Sequence, residues 1–113
     1  MSLPDPIAID TKTHTIAELR ELLLPFCKNH PIAKLEVFGS IAAGSASPGS
    51  DVDLMVTFKA GANVGAEFID MALELEDLLD CRVDLLDRAS VENMENWILR
   101  RSILESVRTI YAA

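Results

Sequence analysis

Three aspartates carry the chemistry this sequence could do. Asp51 and Asp53 lie two residues apart in DVDLMVTF, residues 51–58, a stretch that alternates as a β-strand does. Side chains two apart in a strand leave the same face, so these carboxylates stand a few ångströms from one another. Two ionised carboxylates that close repel, and one is driven towards protonation unless a cation sits between them. Hard divalent cations with oxygen ligands, Mg²⁺ above all, meet that need. Asp84 sits mid-strand in CRVDLL, residues 81–86, among Val83, Leu85 and Leu86. It is an odd place for a charge unless Asp84 joins the same site from a neighbouring strand. Three carboxylates on adjacent strands can hold two metal ions, which clamp the attacking and leaving oxygens in phosphoryl-group transfer.

Gly39-Ser40 supplies a complementary part. A strand that runs into a helical turn through glycine presents backbone N–H groups, which can hold a phosphate, and the Ser40 hydroxyl adds a donor. Glycine lets the phosphate come close to the backbone. Each part also has a plain alternative: Gly39 and Ser40 as a helix cap, the aspartates as solvated charges. Their combination, GS followed by ten residues and then DxD, favours the functional reading.

The elements that must position these residues follow from the periodicities. Residues 1–12, with Pro4 and Pro6, read as a flexible arm, and residues 13–113 as one domain. Thr15 and Glu18 form a capping-box pattern ahead of Ile16, Leu19, Leu23 and Phe26, so a helix runs to the late twenties, where Pro25 can kink or end it. AKLEVF, residues 33–38, is a short strand, SIAAG a helical turn or two, and SASPGS, residues 45–50, a turn. On the strand at 51–58, Val52, Leu54, Val56 and Phe58 share one side and Asp51, Asp53, Met55 and Thr57 the other. Phe68, Met71, Ala72, Leu75, Leu78 and Leu79 mark a second long helix. Ser90 is the expected N-cap of a last helix whose stripe comprises Met94, Trp97, Ile98, Leu104, Val107 and Tyr111. That helix would also carry Arg100, Arg101, Glu105 and Arg108 as a solvated face. Strands alternating with helices give an α/β (α+β) fold.

The bulk numbers narrow the function. The net charge is −8 over 113 residues, with no basic stripe, which argues against a nucleic-acid binder. The hydrophobic fraction of 50% and the positive mean hydropathy fit either a compact aliphatic core or an apolar surface covered by a second copy or a partner. Cys27 and Cys81 have no metal-type spacing and read as buried free thiols; His14 and His30 read as exposed. The first residues have no signal-peptide pattern and no apolar run reaches about 18 residues, so the expected location is cytoplasmic.

FGS, ten residues, then DVDL resembles the signature of the polymerase-β-like nucleotidyltransferase superfamily, and the small size resembles its minimal nucleotidyltransferase branch. LEVFGS at 35–40, SDVDLMV at 50–56, VDLL at 83–86 and RRSILESVRTIY at 100–111 are each similar to stretches of these proteins. The resemblance implies a short mixed sheet flanked by helices. It implies that Ser40, beside Gly39, holds the outer phosphates of a nucleoside triphosphate, ATP above all. Asp51 and Asp53 would bind two Mg²⁺ ions. Asp84 would bind the catalytic metal and help activate the nucleophile. An acceptor hydroxyl would attack the α-phosphate and pyrophosphate would leave. Such proteins are commonly antitoxins of HEPN-domain ribonuclease toxins, and some transfer AMP to a tyrosine of the toxin.

Two positions depart from the family pattern. Ala43 stands where GSxARG would put an arginine, which removes a cation that helps hold triphosphate. Asp80 stands where a glycine often precedes the third strand, and Arg82, two residues before Asp84, is either a substitute cation or a surface arginine. Two other functions stay open beside the adenylylating antitoxin. One is a non-catalytic antitoxin that acts by occlusion. The other is an aminoglycoside-type small-molecule nucleotidyltransferase, for which 113 residues leave no room for an acceptor domain within one chain.

Overall fold

The computed structural model of the chain describes residues 14–46 and 51–113; the arm read at 1–12 and most of the turn read at 45–50 lie outside the described residues. Helix α1 spans Ile16–Asn29. Its capping box closes as the pattern predicts: Glu18 N–H donates to Thr15 Oγ1 at 3.1 Å and Thr15 N–H to Glu18 Oε1 at 2.9 Å. Leu19, Leu23, Phe26 and Cys27 form its buried stripe. The helix runs through Pro25 rather than stopping there.

Strand β1, Ile32–Phe38, leads directly into the short helix α2, Gly39–Ala43, and β2 follows at Val52–Phe58. Helix α3, Glu67–Leu79, then precedes β3, Val83–Asp87. The sheet order is β3-β2-β1-β4, with β4 at Arg108–Ala112. β1 pairs antiparallel with β2 and β4, whereas β2 and β3 are parallel, so the sheet is mixed.

The faces divide as the alternation in β2 predicts. Val52, Leu54 and Val56 join Leu19, Leu23, Met71 and Leu75 in the main core beneath α1 and α3. Burying one such leucine fully contributes about 1.5–3 kcal/mol. Met55 points the other way, into a smaller cluster with Val91 and Ile103. Asp53 shares that second face.

The single last helix read from residue 90 onward does not form. Helix α4, Arg88–Glu92, starts earlier, with Asp87 rather than Ser90 as its N-cap. Asn96 caps a separate helix α5, Trp97–Glu105. Val107 lies beyond that helix, and Arg108 and Tyr111 belong to β4. Two asparagines break the helix: Asn93 donates from its side chain to Ala89 O, and Asn96 Oδ1 accepts from Leu99 N–H. The segment RTIYA instead fills the open side of β1, where sheet pairing outweighs the helical spacing. Trp97 and Ile98, read as part of the apolar stripe, are 58% and 65% exposed.

Candidate active site

The strand register builds the site. Phe38 faces Asp53 across the β1–β2 ladder, and Asp53 faces Asp84 across the β2–β3 ladder. One row across three strands therefore places the end of β1 beside two of the three aspartates. Asp51 lies one residue before β2 and is exposed, Asp53 is half-buried, and Asp84 is exposed. Among the described residues, no ion pair or hydrogen bond involves the side chain of any of the three.

The electrostatic consequence falls on Asp53. Burial pushes its carboxyl above the ordinary value, and the charges of Asp84 and Asp51 push it further. The structure thus brings the three predicted carboxylates into mutual repulsion. Among the described residues, no three acidic, histidine or cysteine side chains are drawn into a closed metal cage. The donor set still fits a hard divalent cation: oxygen ligands on adjacent strands that pair with no cationic side chain among the described residues.

Gly39 is fixed by this geometry. Its φ is +73°, and a Cβ built there would sit 3.2 Å from Asp53 Cγ and closer still to Oδ2. Position 39 therefore needs glycine for its backbone conformation and to leave room for the Asp53 carboxylate. α2 opens on Phe38 with no side-chain cap, and Ser40 is half-buried with its hydroxyl unengaged among the described residues. Both leave donors at the end of β1 for an anion. Ala43 is exposed at the end of α2, and Arg82 is exposed with no ion pair among the described residues.

Other residues depart from their sequence reading. His14 is half-buried and its Nε2 donates to Leu79 O at 2.8 Å. His30 is half-buried too, its ring tilted 44° against Phe26 with centroids 4.5 Å apart and its Nε2 3.1 Å from Glu74 Oε1. Burial pushes the Cys27 thiol up to about 12; Cys81 is only half-buried, its thiol raised by burial and then by Asp51, Asp80 and Glu76. Both thiols are held in the unreactive protonated form.

One pair escaped the sequence reading. Glu36 on β1 is 2% exposed and shares the face of Asp53, one row further along the sheet. Arg88 Nη1 donates to Glu36 Oε1 at 2.7 Å, and Lys34 Nζ lies 3.4 Å from Oε2. A carboxylate inside LEVF, in step with Phe38 and so with the aspartate face, was the signal that could have found it.

Residues 19–110 match the sequence model of the nucleotidyltransferase domain. A Methanocaldococcus jannaschii protein, provisionally named a protein adenylyltransferase, is 31% identical over 81 residues, which is 68% of this chain and 93% of the relative. A solved structure provisionally described as a minimal nucleotidyltransferase superposes with a TM-score of 0.63 at 31% identity, covering 86% of this chain and 97% of its own. A chain from the complex of a tri-AMPylated Shewanella oneidensis HEPN toxin with its MNT antitoxin superposes with a TM-score of 0.61 over 88% of this chain and 74% of its own. At 16% identity that last likeness shows the fold. The match over most of the length, the well-covered relative and the shared architecture make this chain a member of the nucleotidyltransferase-domain family, in its minimal form.

Proposed function

We propose that the chain transfers AMP from ATP to a hydroxyl of a protein partner, a HEPN-type ribonuclease toxin, and so acts as its antitoxin. The observation that carries this reading is the row Phe38–Asp53–Asp84, with Gly39 pressed against Asp53 at the end of β1. Asp51, Asp53 and Asp84 are the residues that would hold Mg²⁺. Bound there, the ion neutralises the carboxylates and the charge that builds on the phosphates. Ser40 and the N–H groups that follow Gly39 hold the outer phosphates. Asp84 accepts the proton of the acceptor hydroxyl as its oxygen bonds to the α-phosphorus; the bond to the bridging oxygen breaks and pyrophosphate leaves. The names of the relatives support the protein acceptor, and the chain's acidity disfavours a nucleic acid in that role.

The test is label transfer from α-phosphate-labelled ATP with Mg²⁺, in the presence of host lysate. A labelled protein band is expected, and Asp53→Asn should weaken it by about a hundredfold or more. A band of equal strength in that variant would remove the carboxylate row from the mechanism.

Two observations favour a second reading, an antitoxin that works by occlusion. Ala43 leaves the end of α2 without the family's cation, and Trp97, Ile98 and Leu99 form an exposed apolar run. Toxin neutralisation that survives Asp53→Asn would select this reading over the catalytic one.

A further inference from the structure

A cavity of about 460 Å³ opens where the parallel strands β2 and β3 end, away from the carboxylate row. Phe58, the last residue of β2, meets Phe68 edge-on with ring centroids 6.4 Å apart. Val64 and Leu86 extend this apolar lining, and its polar side chains are Asp87 and Ser90. Asp87 Oδ1 accepts from Ala89 N–H, and Oδ2 has no partner among the described residues. Apolar walls that end in one carboxylate complement a side chain with an apolar stem and a cationic tip. An acidic chain of net charge −8 favours basic partners in the same sense.

The cavity opens at the β3 edge, at the far end of the strand that carries Asp84 and on the core side of the sheet. Displacement at phosphorus proceeds in line, so the attacking hydroxyl stands opposite the leaving pyrophosphate. Gly39 and Ser40 hold the pyrophosphate side at the end of β1, and the sheet order puts β3 on the far side of the Asp51–Asp53 strand. The acceptor therefore enters over the edge of β3. Asp87 is three residues beyond Asp84 along that edge, about 10 Å, and its side chain leaves the opposite face, so an acceptor reaches both by wrapping the edge of β3. Two turns of a helix span the same distance. From this placement and the lining chemistry we infer that the cavity seats a long basic side chain, arginine by preference, of the protein that accepts the nucleotide. The direction of approach rests on the transfer reading above; the chemistry of the cavity does not.

The probe is n-butylguanidinium, titrated against the full chain with methyl groups observed by NMR. Saturable shifts should be confined to methyls lining the cavity, among them Val64, Leu85 and Leu86. They should be lost in Ser90→Arg, which supplies its own guanidinium, and weakened at least tenfold in Asp87→Asn, which keeps the helix cap. The neutral isostere n-butylurea should bind at least tenfold more weakly. Absence of saturable shifts, or equal binding of the urea, overturns the inference. If an acceptor is labelled by the wild type, Ser90→Arg should raise the acceptor KM about tenfold with Mg-ATP binding unchanged. An unchanged KM, or lost Mg-ATP binding, also overturns it. If no acceptor is labelled, the transfer reading falls, and the methyl shifts alone still decide the cavity.

Discussion

A single methyl group at position 39 would strike the carboxylate that defines the site. Gly39→Ala meets both a positive φ and Asp53, and should cost about 1–3 kcal/mol of stability together with nucleotide binding; denaturant melts and Mg-ATP titration would read the two losses. Asp53 itself opposes folding when no cation is present. Its folded pKa lies above the ordinary 3.8, so the native chain holds that proton more tightly than the unfolded one. The penalty is absent below the ordinary value, grows as pH rises through the raised one, and is complete above it. In metal-free buffer, Asp53→Asn should thus match the wild type at low pH and melt a few degrees higher at neutral pH; Mg²⁺ should narrow that gap. Asp80 is the opposite case. The residue closes α3 in the left-handed conformation at φ 53°, where glycine carries no penalty. Asp80→Gly should stabilise the fold by about 0.5–1 kcal/mol in urea melts. The aspartates were legible because alternation in a strand fixes which side chains meet. The steric demand at Gly39 was not, because it comes from a side chain on the neighbouring strand rather than from a phosphate.

At the scale of elements, β1 does more than carry Gly39 and Ser40 at its end. Glu36 ties the middle of that strand to Arg88 on α4, so the helix that follows β3 is fastened to the strand before the glycine. Arg88→Met should cost about 3 kcal/mol, because it leaves Glu36 buried with only Lys34 nearby. The double change Glu36→Leu, Arg88→Met should return to within about 1 kcal/mol of wild type in the same urea melts. Helices α1 and α3 could be read from spacing because each lays one continuous stripe on the sheet. The C-terminal third could not. Its apolar residues keep helical spacing across α4, α5 and β4, but only Val91, Ile103 and Ile110 among them are buried. Local pattern has no access to the vacancy beside β1 that turns RTIYA into a strand.

For the molecule as a whole, the two sheet edges are guarded. At the β3 edge, Val83 N–H donates to Glu76 Oε2; beside β4, Arg20 donates twice to Thr109 O. Extending the sheet with a second copy would break these bonds. Trp97, the chain's single tryptophan, reports on the surface of α5. Its fluorescence should be that of solvated indole and open to acrylamide quenching, with a blue shift when a partner covers α5; an emission already blue and shielded in the dilute free chain would contradict the exposed placement. The pairing of β1 with β4 also sets an order of events during synthesis. β1 and the glycine turn emerge early, but their second neighbour is complete only once residue 112 has been made. Until then β1 has one flank open and Leu35 and Val37 lack part of their cover, so the nascent chain should stay protease-sensitive up to that point. A ribosome-bound chain stalled before Arg108 should be cleaved near β1, and one released after residue 112 should not.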